Sequence, residues 1–240
     1  MCAYEGAAAV GRTNDGKLAG KAMKDLCLAT PSTFANVRFV LTDMDETLTY
    51  RGRLSARTYG ALERLQRAGV RVIPVTAAPS GWCDQMARMW PVDGVVSENG
   101  GLFIQSDGGH GVKRSFWHAE AKRQAISDQL AKIGGLDVTV SNIWSLSWIG
   151  AYDKLAMARR VMADVYGIDI DSDRDAILYC GDSANDAPMF GFFRHTVGVS
   201  TVRHYLPDIP IPPNWITKGP GGDGFVEVAD AVIAGKTGDQ

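Results

Sequence analysis

One stretch limits what this chain can become more than any other: Val37 to Thr47, an apolar run that ends in two acids, Asp43 and Asp45. Its shortness and its β-branched residues predict a buried strand. In an extended chain, residues two apart point the same way. Both carboxylates are therefore expected to face one small volume beyond the strand's tip. In open α/β sheets that is where ligands bind. Two unpaired carboxylates there repel each other unless a cation lies between them. The pattern asks for a divalent metal, most simply Mg²⁺, which prefers oxygen ligands.

The chain around this strand reads as parallel βαβ units. Ser55 is a good N-cap for a helix over Ala56 to Ala68, closed by Gly69. Val70 to Val75 predicts a second strand ending at Thr76, Gly81 to Met89 a helix, and Val92 to Val96 a third strand leading into Ser97-Glu98-Asn99-Gly100-Gly101. Alternation at this spacing predicts a doubly wound parallel sheet with helices on both faces, a Rossmann-like α/β core. The rhythm then changes. Leu102 to Gln105 predicts a strand, Ser106 to Gly111 a turn, Phe116 to Ile133 an amphipathic helix and Leu136 to Ile149 one or two strands. This block reads as a small inserted α+β cap over residues 105–150, between core segments 37–104 and 151–235. Helix resumes from Asp153 to Tyr166, capped at Gly167. Ala176 to Cys180 predicts a strand, followed by a helix with Pro188 in its first turn. Thr196 to Val199 and Trp215 to Thr217 predict further strands. The Gly219 to Gly224 loop leads to a last helix, Phe225 to Ala234. Residues 1–36 read as a partly ordered N-terminal extension, helical only over Leu18 to Ala29.

Composition removes several function classes. Of 240 residues, 45% are apolar and 22% charged, which suits a globular protein rather than a disordered one. A net charge of −2 gives no basic footprint for nucleic acid. No apolar run is long enough to span a bilayer, and no basic, then apolar, leader opens the chain. Cys2, Cys27, Cys83 and Cys180 lack metal-site or disulfide spacing. A reduced, cytoplasmic protein without membrane or nucleic-acid partners is expected, and its oligomeric state is not legible.

Four sites stand at predicted strand ends or helix starts: Asp43 with Asp45, Thr76, Lys154, and Asp182 with Asn185 and Asp186. Carboxylates, a hydroxyl and an ammonium together suit a phosphoryl group held against Mg²⁺. Asp43 would be the nucleophile, since a carboxylate can form an acyl phosphate. Asp45 would protonate the leaving oxygen and later take a proton from water. Lys154 and Thr76 would stabilise the transferring oxygens, and Asp182 would complete the metal site.

Asp43-Met44-Asp45-Glu46-Thr47 resembles the first motif of the haloacid dehalogenase-like hydrolases, most of which are phosphatases. Thr76 is similar to their second motif, Lys154 to their third, and Gly181-Asp182-Ser183-Ala184-Asn185-Asp186 to their fourth. Glu98-Asn99-Gly100 and the Gly219 to Gly224 loop resemble the subfamily of sucrose, trehalose and mannosyl-phosphoglycerate phosphatases, which carries an α/β cap between its second and third motifs. The resemblance implies Mg²⁺ held by the Asp43 side chain, the Asp45 backbone carbonyl and the Asp182 side chain. It places Asn185 beside the phosphate, with Thr47, Ser183 and Asp186 supporting the site. The expected partner is a small phosphate ester, with sugar phosphates the leading class. Glu46 stands where many relatives carry Gly, and Ala77-Ala78 where they usually carry Gly-Arg. Two alternatives stay open: a phosphomutase like the phosphomannomutases, or a weakened relative that binds a phospholigand without turnover. In the cap, Trp144 and Trp148 read as its core, with a sugar-facing role as the other reading.

Overall fold

A computed structural model describes residues 22–123, 125 and 152–237. Two sheets organise them. The larger holds six strands: β1 (Lys24–Asp25), β2 (Phe39–Thr42), β3 (Arg71–Pro74), β7 (Ile177–Gly181), β8 (His195–Gly198) and β9 (Trp215–Ile216). Their order is β1-β9-β8-β7-β2-β3, and every pairing is parallel. The smaller is antiparallel, β4 (Val95–Ser97), β5 (Leu102–Ser106) and β6 (Val112–Phe116), in that order.

Period-two alternation sends the large sheet's side chains to two cores, as full burial of a parallel sheet requires. Phe39, Leu41, Ile177 and Tyr179 pack against helices α3 (Lys154–Tyr166) and α4 (Ala187–Phe192). Val40, Leu178 and Cys180 pack on the other face with α1 (Ala56–Arg67) and α5 (Gly221–Thr237). The chain runs outward from β2 to β3 on one side, and from β7 through β8 to β9 on the other. The strand order therefore reverses between β2 and β7, the position where such sheets bind ligands.

The doubly wound reading of the sequence holds, with differences of detail. β4, expected as a strand of the parallel sheet, joins the small antiparallel sheet and touches the large one through a single parallel bridge, Val75 to Val96. The small sheet packs on α2 (Ser80–Met89), sharing a core of Met44, Cys83, Met86, Leu102 and Ile104. The 104/105 boundary drawn from sequence falls inside β5. Helix expected from Phe116 starts only at residue 120, because residues 112–116 pair with β5. The rest of that helix, Leu136 to Ile149, Trp144 and Trp148 lie outside the described residues. The last helix begins at Gly221, inside the glycine loop.

The N-terminal arm differs most. Residues 22–29 form strand β1 and one 3₁₀ turn rather than helix, because the Lys24 amide bonds Asn214 at the sheet edge. Leu26 and Phe34 are buried, Phe34 fully, against His195 and Trp215. Tertiary pairing has overridden a local helical pattern. Phe34→Ala should therefore cost about 3 to 5 kcal/mol, as deletion of a buried aromatic ring does. Urea unfolding measures this; a loss below about 1 kcal/mol would mean the arm is not part of the core.

Candidate active site

β2 ends at Thr42, and the register with β7 sets what lies beyond it. Thr42 pairs with Cys180, and the Asp43 amide donates to the Cys180 carbonyl at 2.9 Å. Asp43 and Asp182 thereby emerge side by side at the reversal point. Alternation places Asp43 on the same side as Leu41 and Tyr179, the side of α3. The expectation that Asp45 follows by the same alternation fails in its reason. The chain turns at once: Leu48 and Thr49 amides bond the Met44 carbonyl, and Glu46 adopts a left-handed φ of 57°. Asp45 is exposed at the cleft mouth rather than stacked beside Asp43. Both still line one cleft of about 820 Å³.

Lys154 opens α3 directly after its N-cap, Asp153, whose carboxylate accepts from the Ala156 amide at 2.7 Å. Its side chain is only 2% exposed, unlike a solvated surface lysine. The ammonium donates to Asp43 Oδ1 and to Asp186 Oδ1, each at 2.7 Å. Burial alone would lower its pKa, but Asp186 and Asp43 outweigh that and raise it, so it stays charged. Gly100 locks the position of this helix start. It holds φ 111°, and a Cβ there would lie 2.5 Å from the Asp153 carbonyl oxygen.

Asp186 is the most heavily bonded acid in the site. Its Oδ1 accepts from Lys154 and from the Tyr179 hydroxyl at 2.5 Å, and its Oδ2 accepts from the amides of Asp182 at 2.9 Å and Ser183 at 3.1 Å. The carboxylate folds over Gly181, where a Cβ would meet Asp186 Oδ2 at 2.4 Å. Asp43, Asp182 and Asp186 can each offer an oxygen within 4.8 Å of the others. Asp186 is already saturated, so Asp43 and Asp182 are the two with capacity left for a cation. Asp182 Oδ1 accepts from the Thr47 hydroxyl at 3.0 Å.

Thr76, buried past β3, accepts at Oγ1 from the Ala78 amide at 3.0 Å, which leaves its own hydroxyl hydrogen for the cleft. Ala77 lines the cleft. Asn185 is exposed, lines the cleft, and donates to Asn99 Oδ1 at 3.4 Å. Ser183 also lines it. Glu46 accepts from the Arg51 amide at 2.8 Å. Sequence reasoning missed Tyr179 and the cleft wall from α2, and it named Asn99 within the Glu98-Asn99-Gly100 motif without giving it a role in the site. A tyrosine within an otherwise apolar buried strand was the available signal, since a buried hydroxyl needs a partner.

The sequence matches no family profile and no curated protein. Solved structures do match. A protein of Thermoplasma acidophilum superposes with a TM-score of 0.61 at 16% identity, over 82% of this chain and 99% of that one. A putative HAD superfamily (subfamily III A) hydrolase from Legionella pneumophila gives 0.51 at 15% identity, over 86% and 87% of the two chains. The 3-deoxy-D-manno-octulosonate 8-phosphate phosphatase of Moraxella catarrhalis, solved with magnesium and phosphate ions and the free sugar acid, gives 0.51 at 12% identity, over 86% and 92%. The chain shares the fold of the HAD superfamily hydrolases. The narrower likeness to sucrose and trehalose phosphatases finds no support in these neighbours.

Burial pushes the Asp43 carboxyl up to about 7, with Lys154 pulling it back and Asp186 pushing it further. Burial, then the charges of Asp43 and Asp186, push Asp182 up to about 8. Both shifts are upward, so from the ordinary 3.8 to about 7 or 8 the folded chain binds more protons than the unfolded one. Stability contributed by these groups is present below that window and is lost as pH rises through it. In chelator, the melting temperature should fall between about pH 5 and about pH 8, and fall less in Asp182→Asn. Mg²⁺ should raise it more at pH 8 than at pH 6, because only ionised carboxylates ligate. A chelated protein equally stable across that range would contradict the shifts.

Proposed function

We propose that this protein is a Mg²⁺-dependent phosphatase that hydrolyses phosphate monoesters, sugar phosphates foremost, through a phospho-aspartate on Asp43. The observation that carries the reading is the buried Lys154 ammonium shared by Asp43 and Asp186, with Asp182 beside them. A structural ion pair needs one acid; this site crowds three around one cation, leaving negative charge for a second cation to balance. The all-carboxylate donor set suits Mg²⁺. The Moraxella catarrhalis neighbour, a sugar-acid phosphate phosphatase holding magnesium and phosphate, supports the same class.

Asp43 and Asp182 would hold the ion, with the Asp45 backbone carbonyl as the further ligand that the family resemblance implies. Bound there, Mg²⁺ would supply charge neutralisation for the phosphoryl oxygens. The chain's own residues would do the rest. Lys154 fixes one oxygen of Asp43 and leaves the other to attack phosphorus. The bond from phosphorus to the leaving oxygen breaks as Asp45 delivers its proton to that oxygen. Partial desolvation by the cleft walls, although the side chain reaches solvent, shifts the Asp45 carboxyl upward, the direction a proton donor needs. Water then loses a proton to Asp45 and attacks phosphorus, releasing inorganic phosphate and the Asp43 carboxylate. Thr76 and Asn185, which line the cleft, hold the phosphoryl oxygens; Lys154, expected there from sequence, is bonded to Asp43 and Asp186 behind them, while Thr47, Ser183 and Asp186 keep Asp182 and Lys154 in place.

Asp43→Asn should lower phosphate release from nitrophenyl phosphate by at least about ten-thousandfold, as loss of a nucleophile does elsewhere. Asp45→Asn should still be phosphorylated by that ester, whose leaving group needs no acid, and stall at dephosphorylation. Chelation should stop turnover, and Mg²⁺ should restore it. If Asp43→Asn keeps more than about a tenth of wild-type activity, some 1.4 kcal/mol in the barrier, the nucleophile is another group.

A further inference from the structure

The cleft beside Asp43 has two unlike walls. One is acidic: Asp43, Asp45, Glu46 and Asp182 all face it. Lys154 lies buried behind them, and no Lys or Arg is among the described residues that line the cleft. The other wall is apolar and comes mainly from α2. Trp82 and Met86 stand one helical turn apart, and Trp90 follows directly after the helix. Trp82 is 48% exposed, although α2 buries Cys83, Met86 and Ala87 in its own core. Trp82 is not a scattered surface ring: with Leu54, Met86 and Trp90 it forms one apolar wall of the cleft, the kind of grouped apolar surface that marks a ligand groove.

We infer that this wall is the leaving-group subsite, and that it selects phosphate esters of an uncharged alcohol with a flat apolar face. The inference rests on the phosphatase reading and adds the substrate class. Two physical effects act together. Aromatic faces pack on the C–H face of a pyranose or on an aryl ring, removing apolar area from water. A leaving group with its own carboxylate would instead meet the Glu46 carboxylate, which lines the same cleft and repels it. The site therefore discriminates by attraction on one wall and by repulsion on the other. Neutral hexose phosphates and aryl phosphates share this chemistry; phosphorylated sugar acids and hydroxy acids do not.

The test compares three esters, phenyl phosphate, glucose 6-phosphate and phosphoglycolate, with one small acyl phosphate, acetyl phosphate, on the Mg²⁺-loaded protein. Wild type should prefer the first two over phosphoglycolate by at least about tenfold in kcat/KM, the scale on which one apolar or charged contact discriminates. A preference shared by both neutral esters defines the subsite as a general apolar face. One confined to glucose 6-phosphate makes it a sugar site, and one confined to phenyl phosphate an aryl site. Trp82→Ala should lower the preference for phenyl phosphate over acetyl phosphate about tenfold, through KM. Met89→Ala, on the same helix but outside the cleft lining, should leave that ratio unmoved. Glu46→Gln, which keeps the acceptor for the Arg51 amide, should raise turnover of phosphoglycolate several-fold. Phosphoglycolate turned over as well as the neutral esters, or a ratio indifferent to Trp82, would overturn the inference while leaving the phosphatase reading intact. If no ester is hydrolysed, the phosphatase reading falls and tryptophan quenching decides the subsite on its own. Tighter binding of phenyl phosphate than of phosphoglycolate, lost in Trp82→Ala, would uphold it; the reverse order would overturn it.

Discussion

The Lys154 ammonium is the interaction on which this site depends. Three buried carboxylates offer oxygens within 4.8 Å of one another, an arrangement that repulsion and desolvation both oppose. One buried cation, bonded to two of them at 2.7 Å, makes it tenable. The bonds are divided unequally, and that division defines function. Asp186 takes four donors and becomes scaffold. Asp43 and Asp182 keep unused oxygens and have their carboxyls pushed up by burial, which leaves them the two acids with room for a cation.

The fold's contribution is to bring these groups to one point. Lys154 and Asp43 are 111 residues apart, and Thr47 and Asp182 are 135 apart. Parallel pairing of β2 with β7 aligns the two acid-bearing tips, and the reversal of strand order between them leaves a crevice there. The start of α3 closes the crevice from one face, pressed against Gly100 so tightly that a side chain would not fit. On the outer side, α2, backed by the small sheet, gives the cleft an apolar wall. In the proposed function, chemistry and selectivity come from different layers: the strand tips would react, and the helix after Thr76 would decide what approaches.

Much of this was legible in the residues themselves. The apolar run ending at Asp43 and Asp45 announced a strand with a ligand site at its tip. Gly181 to Asp186 announced a second one, and strand and helix alternation announced a parallel sheet. Elsewhere local pattern misled for a physical reason. Residues 22–29 carry a helical pattern, yet an unpaired sheet edge at β9 offers hydrogen bonds that a short isolated helix cannot match. Residues 112–116 look like the approach to a helix, yet they complete a hairpin with β5.

The sequence alone determined the kinds of element and the kinds of chemical group, because periodicity, capping and side-chain chemistry are local properties. It also determined their order, so that acids, hydroxyl and ammonium would share one edge if the strands paired as parallel neighbours, as β2 does with β3 and β7. Only the tertiary structure decided which acid is scaffold and which is free. It sent Asp45 to the cleft mouth through a tight turn that two-residue alternation does not foresee. It buried Lys154, bonded Tyr179 to Asp186, and left Trp82 facing the cleft. Those outcomes depend on strand register, close backbone approach and desolvation between residues far apart in the chain, and no local pattern encodes them.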